Sequence, residues 1–245
     1  MTRIVVALML IAFVLSPAHA RDEITLKTTD GLTYTADVYR ARTEPDAPWI
    51  VLAHQAGASR GEYREIAPRL NALGFNAVAL DQRSGGGFAG GANTAFARAR
   101  KLKKKRTYLA ARPDIEAGIA WARRQTSGTV ILWGSSYSAA LAILMAGEKA
   151  DLVDGVVSNS PGEYLRGKSV SGAAKAITVP VLITSPARER KRWRKIFKNI
   201  PHDRKEGFAP KSGGVHGSSA FIAGRNISAE AYWSVAEAFL AQFVK

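Results

Sequence analysis

The sequence predicts an α/β fold: a mainly parallel central sheet, an antiparallel hairpin at its N-terminal edge, and helices on both faces. Three observations carry this expectation. Glu23 to Thr28 and Leu32 to Tyr39 alternate polar and apolar residues, as half-exposed strands do, and the turn residues Thr29-Asp30-Gly31 join them into a hairpin. Trp49 to Ala53 is continuously apolar, the pattern of a strand buried on both faces, and Phe75 to Leu80, Val130 to Trp133, Leu152 to Ser158 and Val179 to Thr184 are further short strands. Helical spacing lies between these strands, and that alternation argues for parallel pairing.

Each element follows from local chemistry. Ala41 to Pro48 is polar with two prolines and reads as a loop. Ile66, Leu70 and Leu73 share one face of a helix from Tyr63 to Leu73, which Gly74 caps. Ser84 to Ala92 is glycine-rich and reads as a flexible loop. Arg98 to Arg106 is a dense basic run, read as a solvated loop or helix. Pro113 opens a helix that runs to Arg124, since proline is favoured in a first turn. A helix follows Ser136 and reaches Met145. Glu189 to Asn199 is a basic helix with Trp193, Ile196 and Phe197 apolar. Ser228 is the expected cap of a last helix, Ala229 to Val244.

The chain has 245 residues and 47% apolar content, which suits one domain over residues 21–245 with a sizeable core. Residues 1–20 read as a signal peptide: Arg3, an apolar stretch from Ile4 to Leu15, and an Ala18-His19-Ala20 cleavage site before Arg21. That stretch is short of the roughly 20 residues that span a bilayer. The expected destination is export, to a bacterial periplasm or beyond. The absence of cysteine excludes disulfides, thiol catalysis and a lipid-modified cysteine anchor. A net charge of +15 bears on partners rather than on fold. It leaves open weak association with anionic envelope surfaces, while export argues against nucleic acid.

The chemistry gathers around Thr129 to Ala140, where an apolar strand ends in Gly134-Ser135-Ser136-Tyr137-Ser138 and a helix of small residues begins. A tight strand-to-helix turn with small neighbours is how a nucleophilic serine is held in a strained, exposed position. Ser136 is the candidate, although Ser138 stands where glycine is usual. A serine hydroxyl needs a base, and the base needs an orienting carboxylate. His216, late in the small-residue loop Gly213 to Gly217, is the preferred base. His202 suits a solvated or helix-capping role, and His54 suits an oxyanion loop. Glu189 comes first after the strand Val179 to Thr184 and is the preferred acid, with Asp203 and Glu206 as alternatives. The backbone N–H groups of Tyr137 and Gln55 are the expected oxyanion donors.

On His54-Gln55-Ala56-Gly57, Asp81 to Gly86, Gly134 to Ser138 and Gly214 to Gly217, the chain resembles the α/β-hydrolase superfamily over nearly its whole length after residue 20. Its spacing is similar to the small, lidless dienelactone hydrolases and bacterial esterases. The resemblance implies a triad of Ser136, His216 and Glu189, a small-molecule ester substrate, and no metal or organic cofactor. Dienelactone hydrolases use a cysteine nucleophile, so the serine here points to an esterase-like relative. The acid position lacks a clean G-x-x-D match. The rival expectation is a non-catalytic relative that binds anionic envelope ligands through its basic surface.

Overall fold

The computed structural model describes residues 21–88 and 91–244; the segment read as a signal peptide lies outside them. Arg21–Lys27 (β1) and Thr33–Tyr39 (β2) pair antiparallel, with Leu26 opposite Tyr34. β1 is mostly exposed, as an edge strand can be. Trp49–Ala53 (β3), Ala67–Ala72 (α1), Asn76–Leu80 (β4), Thr94–Lys101 (α2), Arg112–Gln125 (α3), Val130–Ser135 (β5) and Tyr137–Glu148 (α4) follow. Gly155–Asn159 (β6), Val170–Ala173 (α5), Val181–Thr184 (β7), Arg190–Asn199 (α6), Lys205–Phe208 (β8) and Ala229–Leu240 (α7) complete the order. Among the described residues the strands form one sheet, β1-β2-β4-β3-β5-β6-β7-β8. β2 meets β4 antiparallel, and every pairing from β4 through β8 is parallel.

Two apolar layers enclose the sheet. Trp49, Val51 and Ala53 of β3 enter one, with Ala95 of α2, Ile115 of α3, Leu141 of α4 and Ile196 of α6. Ile50 and Leu52 enter the other, with Leu70 of α1 and Trp233 of α7. Burying a side chain of this size stabilises by ~1.5–3 kcal/mol.

The parallel register sets the site. Ala53 pairs with Gly134, Ser135 with Asn159, and Asn159 with Thr184. The carboxyl ends of β3, β5, β6 and β7 are therefore level, and the segments opening at His54, Ser136, Ser160 and Ser185 leave one edge of the sheet. Such an edge is where open α/β sheets hold ligands.

Several elements differ from expectation for local reasons. The helix expected from Tyr63 splits into a 3-10 turn, Arg60–Tyr63, and α1, whose first turn holds Pro68. The basic run is the end of α2 and the irregular segment after it; Asn93 caps the helix by accepting from Phe96 N–H at 2.8 Å. β8 has the polar sequence KEGF, which carries no strand signal. Ser228 precedes α7 but makes no side-chain cap. The strand expected from Leu152 starts only at Gly155, after Asp154 accepts from Val130 N–H.

The start of the glycine-rich loop, Ser84 to Gly86, is packed against the loop after β3. Gly86 N–H donates to Ala58 O at 2.9 Å and Phe88 N–H to Gly57 O at 2.9 Å. A Cβ on Gly85 would stand 2.0 Å from Asn93 Nδ2 and 2.4 Å from Ala58 O, so close approach is what requires glycine there.

Candidate active site

Ser136 sits between β5 and α4 with φ 60° and ψ −117°, a conformation that costs a non-glycine residue on the order of 1–3 kcal/mol. Neighbours on both sides hold it. Its N–H donates to Asn159 O at 2.8 Å, and Asn159 is fixed by Nδ2 to Gly134 O at 3.1 Å and by Thr184 Oγ1 to its Oδ1 at 2.7 Å. A Cβ on Gly134 would lie 2.4 Å from Ser138 O, so the turn closes only with glycine at that position. Ser138 can replace the second glycine because its side chain has partners of its own. Its hydroxyl donates to His54 O at 2.6 Å and accepts from Gln82 Nε2 at 2.9 Å.

His216 and Glu189 meet Ser136 from the neighbouring loops. His216 Nε2 lies 2.8 Å from Ser136 Oγ, and His216 Nδ1 lies 2.8 Å from Glu189 Oε2 and 3.0 Å from Oε1. The carboxylate fixes the tautomer: Nδ1–H donates to Glu189, which leaves Nε2 free to accept the serine proton. Glu189 ends the 3-10 turn Ala187–Glu189 and is buried. Burial alone would raise its pKa, but hydrogen bonding to His216, with charges including Arg192, leaves it below its ordinary value. Asp203 and Glu206 are exposed on and before β8 and make no hydrogen bond to His216. His202 bonds to neither Ser136 nor Glu189, and its two ring nitrogens are enclosed.

The oxyanion expectation needs one correction. Gln55 N–H donates to Glu62 Oε2 at 2.8 Å and is therefore spent. The next amide, Ala56 N–H, finds no acceptor among the described residues. Tyr137 N–H opens α4, where the first amides of a helix have no intrahelical partner. The Gln55 amide is therefore committed to Glu62, while the neighbouring Ala56 amide is not committed to an acceptor among the described residues.

His54 is fully buried behind this loop, with Nδ1 2.7 Å from Gln55 O and Nε2 accepting from Gln82 N–H at 2.9 Å. Burial pushes its pKa down to about 4, so it stays neutral and joins the loops after β3 and β4. Ser160 carries no motif in the sequence. It is buried with φ 60°, and its Oγ accepts from Gly217 N–H at 2.9 Å, which steadies the residue after His216. Its position at the end of a strand beside β5 was the only signal available. Among the described residues no group of three or more His, Cys, Asp or Glu could hold a metal ion, and no helix is long and apolar enough to cross a membrane.

This sheet order, with a serine at the turn after β5, defines the α/β-hydrolase fold. The family model for the dienelactone hydrolase family matches residues 36–189, and the chain belongs to that family, which makes it a hydrolase of the dienelactone hydrolase and esterase type. Among solved structures it is similar to the Pyrococcus furiosus esterase Pf2001, with a TM-score of 0.71 and 17% identity, covering 92% of this chain and 93% of that one. A dienelactone hydrolase from Anabaena variabilis aligns with a TM-score of 0.69 and 14% identity, over 92% and 99% of the two chains. The Pyrococcus horikoshii acylaminoacyl peptidase aligns with a TM-score of 0.69 and 17% identity over 92% of this chain but 42% of that one. No curated protein matches the sequence.

Proposed function

We propose that the chain is a serine hydrolase that cleaves a carboxylic ester or related acyl bond of a small molecule. The observation that carries this reading is the unbroken hydrogen-bond chain from strained Ser136 through His216 to buried Glu189. Ser136 Oγ attacks the carbonyl carbon while its proton passes to His216 Nε2. The tetrahedral oxyanion accepts from Tyr137 and Ala56 N–H. Collapse expels the alcohol, which takes the proton from His216. Water then repeats the sequence on the acyl-enzyme and releases the acid. Removing Ser136 leaves only weak residual catalysis in such a site. A fluorophosphonate probe should label the wild type and not Ser136→Ala. Equal labelling of the two, or none of the wild type, would favour the non-catalytic binding reading.

We further propose that residues 1–20 direct export and are removed, so that the N terminus recovered from a periplasmic or secreted fraction begins at Arg21. Weak association with anionic surfaces belongs to the same reading. It is supported by Lys191, Arg194, Lys195 and Lys198 of α6, which are exposed and form no ion pair among the described residues. Salt-sensitive co-sedimentation with phosphatidylglycerol vesicles tests it.

A further inference from the structure

We propose that Glu62 is a positioning residue for this site: its buried carboxylate clamps the amide of Gln55 and the hydroxyl of Ser135, so that its ionised form fixes both the oxyanion loop and the nucleophile turn. The proposal rests on the hydrolase reading and names a regulating group within it.

Glu62 is 3% exposed and forms no ion pair among the described residues. Its Oε2 accepts from Gln55 N–H at 2.8 Å, and its Oε1 accepts from Ser135 Oγ at 2.8 Å and from Gln55 Nε2 at 3.4 Å. Gln55 directly precedes Ala56, and Ser135 directly precedes Ser136. Ser135 Oγ in turn accepts from Ser218 N–H at 2.9 Å, two residues beyond His216. One carboxylate therefore touches the loop of the oxyanion amide and the turn of the nucleophile, and reaches the loop of the base through one hydroxyl.

The groups facing it come from several elements. Tyr63, on its own turn, donates its hydroxyl to Ala53 O at 2.7 Å. Tyr137 of α4, His216 of the base loop and Arg225 beyond it complete the set, while Arg60 is taken up by Asp37, Asp81 and Glu23. Burial pushes the Glu62 carboxyl up to about 7 against the Gln55 N–H, the Ser135 hydroxyl and the charges of Arg225 and His216. Ionised, the carboxylate accepts from both donors. Protonated, one oxygen becomes a donor and competes with the Ser135 proton, while the bond to Gln55 weakens from charge-assisted to neutral. The negative charge also favours the imidazolium that forms on His216.

The test is hydrolysis of p-nitrophenyl acetate from about pH 5 to about pH 9. Glu62→Gln should lower kcat on the order of tenfold with KM changed by less than about twofold. The acid limb of log kcat/KM should be steeper by one protonation, that of Glu62, in the wild type than in Glu62→Gln. Glu62→Asp, which keeps an ionisable group, should keep the steeper limb. Wild-type kcat and limb slope in Glu62→Gln would overturn the proposal. If Glu62→Gln does not fold by circular dichroism, Ser135→Ala decides. Removing one donor to the carboxylate should move the acid limb to higher pH, and an unmoved limb overturns the proposal. A wild type that fluorophosphonate does not label overturns the hydrolase reading and this one together; a labelled wild type with an unchanged Glu62→Gln profile overturns this one alone.

Discussion

Ser138 Oγ donates to the carbonyl oxygen of His54 at 2.6 Å and so ties the first turn of α4 to the end of β3. The same oxygen accepts from Gln82 Nε2 at 2.9 Å, all of it buried. Ser138→Ala should cost ~1–3 kcal/mol, because two buried polar groups lose their partner. Ser138→Gly should cost more, even though glycine is the usual residue of such turns, since glycine within a helix adds ~1 kcal/mol. Urea unfolding measures both. A neutral Ser138→Gly would mean that the hydroxyl does not hold the turn.

Glu189→Gln should reduce kcat/KM by about a thousandfold or more, because an amide no longer enforces the His216 tautomer that leaves Nε2 free. Asp203→Asn and Glu206→Gln, on exposed carboxylates without a bond to His216, should stay within about twofold of wild type. Steady-state hydrolysis of a short nitrophenyl ester compares all three. A full-rate Glu189→Gln would remove Glu189 from the mechanism.

Gly214→Ala should damage the base loop by strain and collision together. Gly214 has φ +85°, and its Cβ would stand 2.4 Å from Tyr232 Oη and 2.9 Å from the Pro186 backbone. Gly213, at φ +67°, has open space around the same atom. Gly213→Ala should therefore cost only the conformational penalty, roughly 1–2 kcal/mol. Gly214→Ala should cost more and lower kcat/KM as well. Equal melting temperatures and equal rates in the two variants would show that the collision is absorbed.

The sheet was legible because its signals are local. Trp49 to Ala53 is short, continuously apolar and partly β-branched, the pattern of a strand buried on both faces, and Leu26 and Tyr34 mark the alternating hairpin. That Ser136, His216 and Glu189 meet could be read from chain order, because the ends of level strands lie together. Local pattern failed where tertiary contact decides. Lys205–Phe208 is polar and becomes a strand only because β7 offers it an edge. The commitment of the Gln55 amide is hidden from local pattern because its acceptor, Glu62, lies seven residues on and is brought back by a 3-10 turn. Ser160 takes its importance from Gly217, 57 residues away.

His54 and Glu62 should oppose each other in the pH dependence of stability. His54 falls from its ordinary 6.5 to about 4 in the fold. The unfolded chain then takes up its proton as pH drops below 6.5 while the native state does not, so His54 removes stability as pH falls from 6.5 towards 4. Glu62 rises from 4.5 to about 7, so the native state holds its proton longer, and Glu62 adds stability as pH falls from 7 towards 4.5. Each effect amounts to about 3 kcal/mol at 1.36 kcal/mol per pKa unit, and the windows overlap. Glu189, held below its ordinary value, contributes stability that is lost only at lower pH. The pair should therefore leave wild-type stability nearly flat between about pH 5 and about pH 7. Glu62→Gln removes one side of the balance. Its unfolding free energy should climb with pH across that interval by roughly 2 kcal/mol and should exceed the wild-type value at about pH 8, where the wild type carries the buried charge. Urea titrations of both proteins at four pH values across this range measure the difference. Two parallel curves would show that Glu62 does not change its protonation there.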